Sequence, residues 1–275
     1  MPVPRVRKYT EMTLKIEIGV TEQEANSRAL EKLKTVAWAS SLLEEIRRRG
    51  GLKAPASFLF ELRFAAEVQR AGLAATYEHK SGVGLTSVDF RLDCPTEWLI
   101  ELLSPGPHSR SDEESQMLKF AGILSDKACS EDGLPSKFPV PMPGRYHLVI
   151  VDVRGYLYGM GDVLDWCQIA YGSDGVKGVN DWALHWLPRE VKGQPGPICG
   201  VFDPRSPVES AKVFQERVHF IGFMNERSHL PGEMRTVKAV HYLPNPNLFQ
   251  SNAEAIETFQ SYPLKPVPKT DLKSP

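Results

Sequence analysis

The chain has 275 residues, 41% apolar and 24% charged, which suits a globular protein long enough to bury a sizeable core. Its 33 basic and 34 acidic side chains leave a formal net charge of -1. This argues against the global basic footprint of a sequence-independent nucleic-acid binder and leaves room only for a local basic cleft.

In chain order, TLKIEIGV (13–20) alternates and reads as an edge strand. The next segment, 21–51, is predicted helical, with Thr21 and Glu24 as a capping box and Gly50 with Gly51 as its stop. Leu30, Leu33, Ala37, Leu42 and Ile46 recur in it at roughly helical spacing, and Arg47, Arg48 and Arg49 complement the helix dipole at its end. A second helix is predicted over 55–71, between Pro55 and Gly72, with Leu59, Leu62, Ala66 and Gln69 on one face and Glu61 beside it. Three strands follow, at 73–78, 85–92 and 97–103, punctuated by Gly82 with Gly84 and by the turn 93–96. A third helix is expected over 112–130 with Ser111 as its cap, then a Pro-rich loop, then a buried central strand at 146–153.

The order helix, three strands, helix, strand predicts an α/β fold: a mixed central sheet flanked by helices, the last strand joining in parallel through the crossover helix. Beyond 155 the pattern weakens. GDVLDWCQIAYG reads as a short helix, DWALHWLP and ERVHFIGFMNE as strand-like, and PNPNLFQ and the tail SYPLKPVPKTDLKSP as irregular. Residues 1–155 are expected to form the core with an N-terminal helical extension. Residues 156–275 form a C-terminal extension packed on it or, alternatively, a second domain. No run of 18 apolar residues is present and the first 19 residues lack a signal-peptide core, so no membrane span is expected and the location expected is the cytoplasm. Cys94, Cys129, Cys167 and Cys199 show neither C-x-x-C nor zinc spacing, so no structural zinc or disulfide framework is expected.

The chemistry concentrates in LTSVDFRLDCPTEWLIELLS (85–104). Asp89 and Glu101 sit on opposite arms of a hairpin with a short turn, Asp89 facing a residue near 100 and Glu101 within reach. Two carboxylates this close raise each other's proton affinity unless a cation separates them, and Mg²⁺ is the simplest hard cation for oxygen ligands. Singly, each residue also has an ordinary reading. Glu61 would be an exposed helix position equivalent to Glu67, Asp89 a partner of Arg91 or Lys80, and Glu101 a solvent-facing strand position. Lys127 would be a lysine lying along its helix.

Taken together, these segments resemble the core of the PD-(D/E)XK nuclease superfamily, over about residues 55–153. ELRFAAEVQRAG looks like its first helix with Glu61, SVDFRL like its Pro-Asp strand with Asp89, WLIELLS like its Glu-x-Lys strand with Glu101, and RYHLVIVDV like the following core strand. Val88 stands where the family often has Pro, and Leu103 where it has the motif lysine. In the family that lysine can come from elsewhere, including the helix after the third strand. There Gln116, Phe120, Ile123 and Lys127 share a stripe, so Lys127 is the first choice and Lys119 the second.

The resemblance implies a restriction-endonuclease-like core and a metal-dependent phosphodiesterase acting on nucleic acid, DNA first. Asp89 and Glu101 would hold Mg²⁺ or Mn²⁺ with the Leu102 carbonyl as a further ligand, Glu61 would assist, and Lys127 would position water or phosphate. The alternative is a catalytically inactive core serving as a structural or protein-binding module. A third reading puts an unrelated site near Trp166, Trp182 and Trp186. His108 could help bind a phosphate, and Lys80, Arg91, Arg110 and Arg63 could form a basic rim. SGVGLTS lacks a phosphate-loop lysine, and neither GxSxG nor HExxH is present.

Overall fold

The computed structural model describes residues 17–18, 22–84, 86–105, 113–129, 134–152, 167, 169–172, 190–191, 194–195, 200–206, 208–227 and 235–264. The predicted helix at 21–51 is two helices, α1 (Glu22–Leu33) and α2 (Ser40–Arg48), with a 3-10 turn at Ala37–Ala39 between them. The chain leaves the helix at the β-branched pair Thr35 and Val36, where Val36 is extended (φ -92°, ψ 109°). This bend lets Ala29 and Leu33 of α1, and Leu42, Leu43 and Ile46 of α2, bury in one cluster. The Thr21 cap lies outside the described residues.

α3 (Ala56–Arg70) buries nine of its side chains, among them Leu59, Leu62, Ala65 and Val68. Pro55 is its extended N-cap, just outside the helix. At the other end Gly72 adopts φ +73°, its N–H donates to the Gln69 carbonyl, and the Leu73 N–H donates to Val68. This is a Schellman stop, which a glycine makes without a Cβ penalty.

Strands β2 (Ala75–His79), β3 (Val88–Asp93) and β4 (Glu97–Leu103) form an antiparallel meander. α4 (Glu113–Asp126) then crosses over to β5 (Arg145–Asp152), which pairs with β4 in parallel. The proposed cap Ser111 lies outside the described residues. After the two-residue ladder of β6 (Glu190–Val191) and β7 (Gln194–Pro195) come α5 (Ala211–Arg217), β8 (Phe220–Arg227), β9 (Arg235–Pro244) and α6 (Asn252–Gln260).

The central sheet runs β9-β8-β5-β4-β3-β2, with the two-residue β1 (Glu17–Ile18) added at the β9 edge. β5 and β8 are parallel, and β8 and β9 antiparallel. The segment expected to be a C-terminal extension therefore builds two strands of the same sheet. Its ERVHFIGFMNE run supplies β8. DWALHWLP and the tail from 265 onward lie outside the described residues.

Two apolar layers cover the sheet. Phe90, Leu92, Trp98, Ile100, Leu102, Leu148 and Ile150 pack with α1, α2, α3 and α6 on one face. Val88, Leu99, Leu103, Val149, Val151, Ile221 and Phe223 pack with α4, α5 and the helical residues 169 and 170 on the other. Each fully buried side chain of this size contributes about 1.5–3 kcal/mol. Among the described residues no helix is long and apolar enough to cross a membrane.

Candidate active site

The β3–β4 register places Phe90 opposite Ile100 and Leu92 opposite Trp98. Continued by one pair, it sets Asp89 against Glu101 itself, one position beyond the partner expected from the turn length. The turn occupies only residues 94–96, because Asp93 still pairs with Glu97.

Asp89 is where β3 changes faces. Val88 belongs to the α4-side core, whereas Phe90 and Leu92 belong to the α3-side core. On the other neighbour, Tyr77 pairs with Phe90 and His79 with Val88, while Glu78 between them holds φ +49°. A non-glycine residue in that region costs on the order of 1 kcal/mol. Carboxylates stand in for the missing ladder bonds. The Asp89 N–H donates to Glu101 Oε1 at 3.1 Å, and the Leu102 N–H donates to Asp89 Oδ2 at 2.7 Å. A strand that normally excludes Asp accepts one here because the side chain does the backbone's bonding.

Glu101 is fully buried. Its Oε2 receives the ammonium of Lys137 at 2.7 Å, and that of Lys127 lies 3.5 Å away. Lys127, just past the end of α4, is thus brought to the acids. Lys119, the second choice, is exposed. Lys137 is the residue that sequence reasoning missed. It sits in SKFPVPMPG, a Pro-rich loop without periodicity, and the sole local hint is the apolar Phe138 beside it.

Glu61 on α3 is 8% exposed, so the reading of an exposed helix residue is overturned. Its neighbour in sequence, Glu67, instead pairs with Arg70 near the surface. Tyr77 Oη donates to Glu61 Oε2 at 2.8 Å. Burial, then the Asp89 charge, pushes the Glu61 carboxyl up to about 8, against the Tyr77 hydrogen bond and Lys127. Burial, again followed by Asp89, raises Glu101 to about 7, with Lys137 and Lys127 opposing. Glu61, Asp89, Glu101, Lys127 and Lys137 therefore lie in one another's fields, between α3, the hairpin and the α4–β5 loop.

Other expected partners are elsewhere. Asp89 bonds to the Leu102 amide, not to Arg91 or Lys80. Arg91 is held by Asp93 at 2.8 Å and Glu97 at 2.7 Å, and Glu97 also binds Arg145. Arg63 leaves the proposed rim altogether. It is buried, donates to Asn26 Oδ1 at 2.8 Å and lies 3.6 Å from Asp152. His108, Arg110, Trp166, Trp182 and Trp186 lie outside the described residues.

No group of three or more His, Cys, Asp or Glu side chains among the described residues has the arrangement to hold a metal ion. Mg²⁺ is commonly bound by one or two carboxylates and completes its shell with waters and substrate phosphate oxygens. Asp89 Oδ1 makes no hydrogen bond within the described residues, and both oxygens of Glu101 are engaged by N–H groups. Toward the opposite end of the strands, a cleft of about 610 Å³ opens beside Phe202, Arg205, Asn247 and Phe249. No family model, no curated protein and no solved structure matches the chain.

Proposed function

We propose that the protein is a divergent PD-(D/E)XK-like phosphodiesterase with a restriction-endonuclease-like core, dependent on Mg²⁺ or Mn²⁺ and acting on nucleic acid, DNA before RNA, in the cytoplasm. The observation that carries this reading is the meeting of Asp89 and Glu101 with two ammonium groups, Lys137 at 2.7 Å and Lys127 at 3.5 Å from Glu101 Oε2. In this reading the α4–β5 loop would supply the lysine that position 103 lacks.

Asp89 and Glu101 would hold the ion, which when bound supplies Lewis acidity and a water of lowered pKa. The chain's own residues supply the rest. Lys137 and Lys127, both beside Glu101, would take a phosphate oxygen or orient water. Glu61 keeps a proton at neutral pH, because burial and Asp89 hold its carboxyl near 8. In this reading it would donate that proton to a departing oxygen or bind a bridging water.

A specific observation favours the second reading, an inactive core acting as a protein-binding or structural module. Glu101 is already neutralised by lysine, and Asp89 Oδ2 and Glu101 Oε1 are committed to backbone N–H groups. Calorimetric titration with Mn²⁺ and Mg²⁺, alongside cleavage of plasmid and single-stranded DNA, separates the two. The enzyme reading expects a binding heat and metal-dependent cleavage, both abolished by Asp89→Ala and by Glu101→Ala. Cleavage that persists at full rate in either variant sinks it. A folded wild type with no heat and no cleavage overturns the enzyme reading and favours the module.

A further inference from the structure

Lys137 belongs to no helix or strand, yet its ammonium is closer to Glu101 than that of Lys127. Its main chain is fastened from three sides. The Ser136 N–H donates to the Ala128 carbonyl at 3.0 Å. The next residue, Phe138, is fully buried and stacks on His147, ring centroids 5.1 Å apart at 23°. The third fastening comes from the connection between β2 and β3. Ser81 Oγ donates to the Lys137 carbonyl at 2.5 Å, and Thr86 Oγ1 donates to the Ser136 carbonyl.

The connection is shaped for this approach. Gly84 adopts φ +59°, and a Cβ there would stand 3.5 Å from the Ser136 carbonyl oxygen. Both hydroxyls serve the same dipeptide, Ser136 and Lys137. A connecting loop outside helix and strand has no ladder to fix it, and pinning consecutive carbonyls removes much of its freedom.

We propose that Ser81 and Thr86 are positioning residues that set Lys137 on Glu101, so that the β2–β3 hairpin is a clamp on the site across 50 or more residues of sequence. The inference rests on the catalytic reading only for its effect on turnover; the clamp itself is a statement about where Lys137 spends its time. Two hydroxyl groups on a neighbouring hairpin thereby do the work that a lysine two residues after Glu101 would do by covalent attachment. Displacing a working group by about an ångström lowers the rate on the order of tenfold to a hundredfold.

The test uses the full chain and two readouts. Wild type, Thr86→Val, Ser81→Ala with Thr86→Val, and Thr86→Ser are treated briefly with an amine acetylating reagent, and modification of Lys137 and Lys127 is followed by mass spectrometry. The clamp predicts Lys137 modification about fivefold faster in the double variant, as expected when hydrogen bonds of ordinary strength are lost. Lys127 should keep its rate, and Thr86→Ser should match wild type. Under the catalytic reading kcat/KM of metal-dependent cleavage falls, again restored in Thr86→Ser. An unchanged Lys137 rate in a folded double variant overturns the clamp, as does Thr86→Ser behaving like Thr86→Val. If the wild type cleaves nothing, the catalytic reading fails and the labelling rates still decide the clamp. If the double variant does not fold, the single Thr86→Val comparison decides it.

Discussion

Replacing Glu61 by Gln removes the titratable proton but keeps an oxygen to accept the Tyr77 hydroxyl. The folded protein holds this carboxyl near 8, against 4.5 as its ordinary value, because it is buried and faces Asp89. The folded state thus binds the proton more tightly than the unfolded chain. The stabilisation it provides is complete below about pH 4.5 and drains away as pH rises through about 8. At about 1.4 kcal/mol for each tenfold difference in proton affinity, the whole effect is on the order of 4–5 kcal/mol by alkaline pH. That is a large share of the roughly 5–15 kcal/mol that holds a domain together.

Urea unfolding of wild type and Glu61→Gln, in chelator from roughly pH 5 to pH 9, measures it. The variant should gain on wild type steadily with pH, its stability curve flatter by about one proton. Glu101, raised to about 7, contributes a similar slope in both proteins and so cancels in the difference. Parallel curves, with a difference constant to within about 0.5 kcal/mol, would show that Glu61 is not held in this field.

Lys137→Met should destabilise by about 2–3 kcal/mol at neutral pH by stranding buried Glu101, whereas Lys127→Met should cost under about 1 kcal/mol; equal or reversed losses in urea unfolding would contradict the geometry. His147 and His219 are held down to about 3 and about 4 by burial, with His219 opposing protonation of His147 as well. Their stabilisation is complete above their ordinary 6.5 and is lost as pH falls below it, so wild type should weaken steeply toward pH 4. His219→Asn, which keeps an acceptor for the His147 N–H, should flatten that acid limb by about one proton, and an unaltered limb would refute the assignment. At Gly200 a Cβ would meet the Gly172 and Tyr171 nitrogens at 2.3 and 2.4 Å. Gly200→Ala should therefore cost more than about 3 kcal/mol, and a change within about 0.5 kcal/mol in the urea midpoint would refute that clash.

The part of the fold legible in the sequence is the part with strong punctuation. α3 lies between Pro55 and the Gly72 stop, β2 to β4 are separated by Gly82, Gly84 and the 94–96 turn, and β5 is a continuous apolar run. α1 and α2 merged in the reading because Ala37 and Leu42 keep the helical period across a bend that two β-branched residues impose. β9 was missed because RTVKAVHYL mixes polar and apolar residues without clean alternation. α6 was missed although Ser251 and Glu254 form an N-terminal cap, with Ser251 Oγ accepting the Glu254 N–H at 3.2 Å.

Within the site, the acids were legible because carboxylates on apolar strands stand out. Their surroundings were not. Nothing local distinguishes Glu61 from Glu67, and burial decides between them only after α3 docks. Lys137 depends on a loop fixed by residues more than 50 positions away, a contact that no periodicity encodes.

The two lysines have a consequence for encounters at a distance. With Glu61 protonated at neutral pH and Glu101, at about 7, only partly ionised, the carboxylate charge that is left is offset by Lys127 and Lys137 within a few ångströms, so the cluster projects only a small net field beyond about one Debye length. A charged partner is not steered to this spot from solution. Its arrival rate should be set by diffusion and by contacts made after collision, and should change little between low and physiological ionic strength. Selectivity at such a site falls to short-range fit, which suits a chain whose overall charge is close to zero.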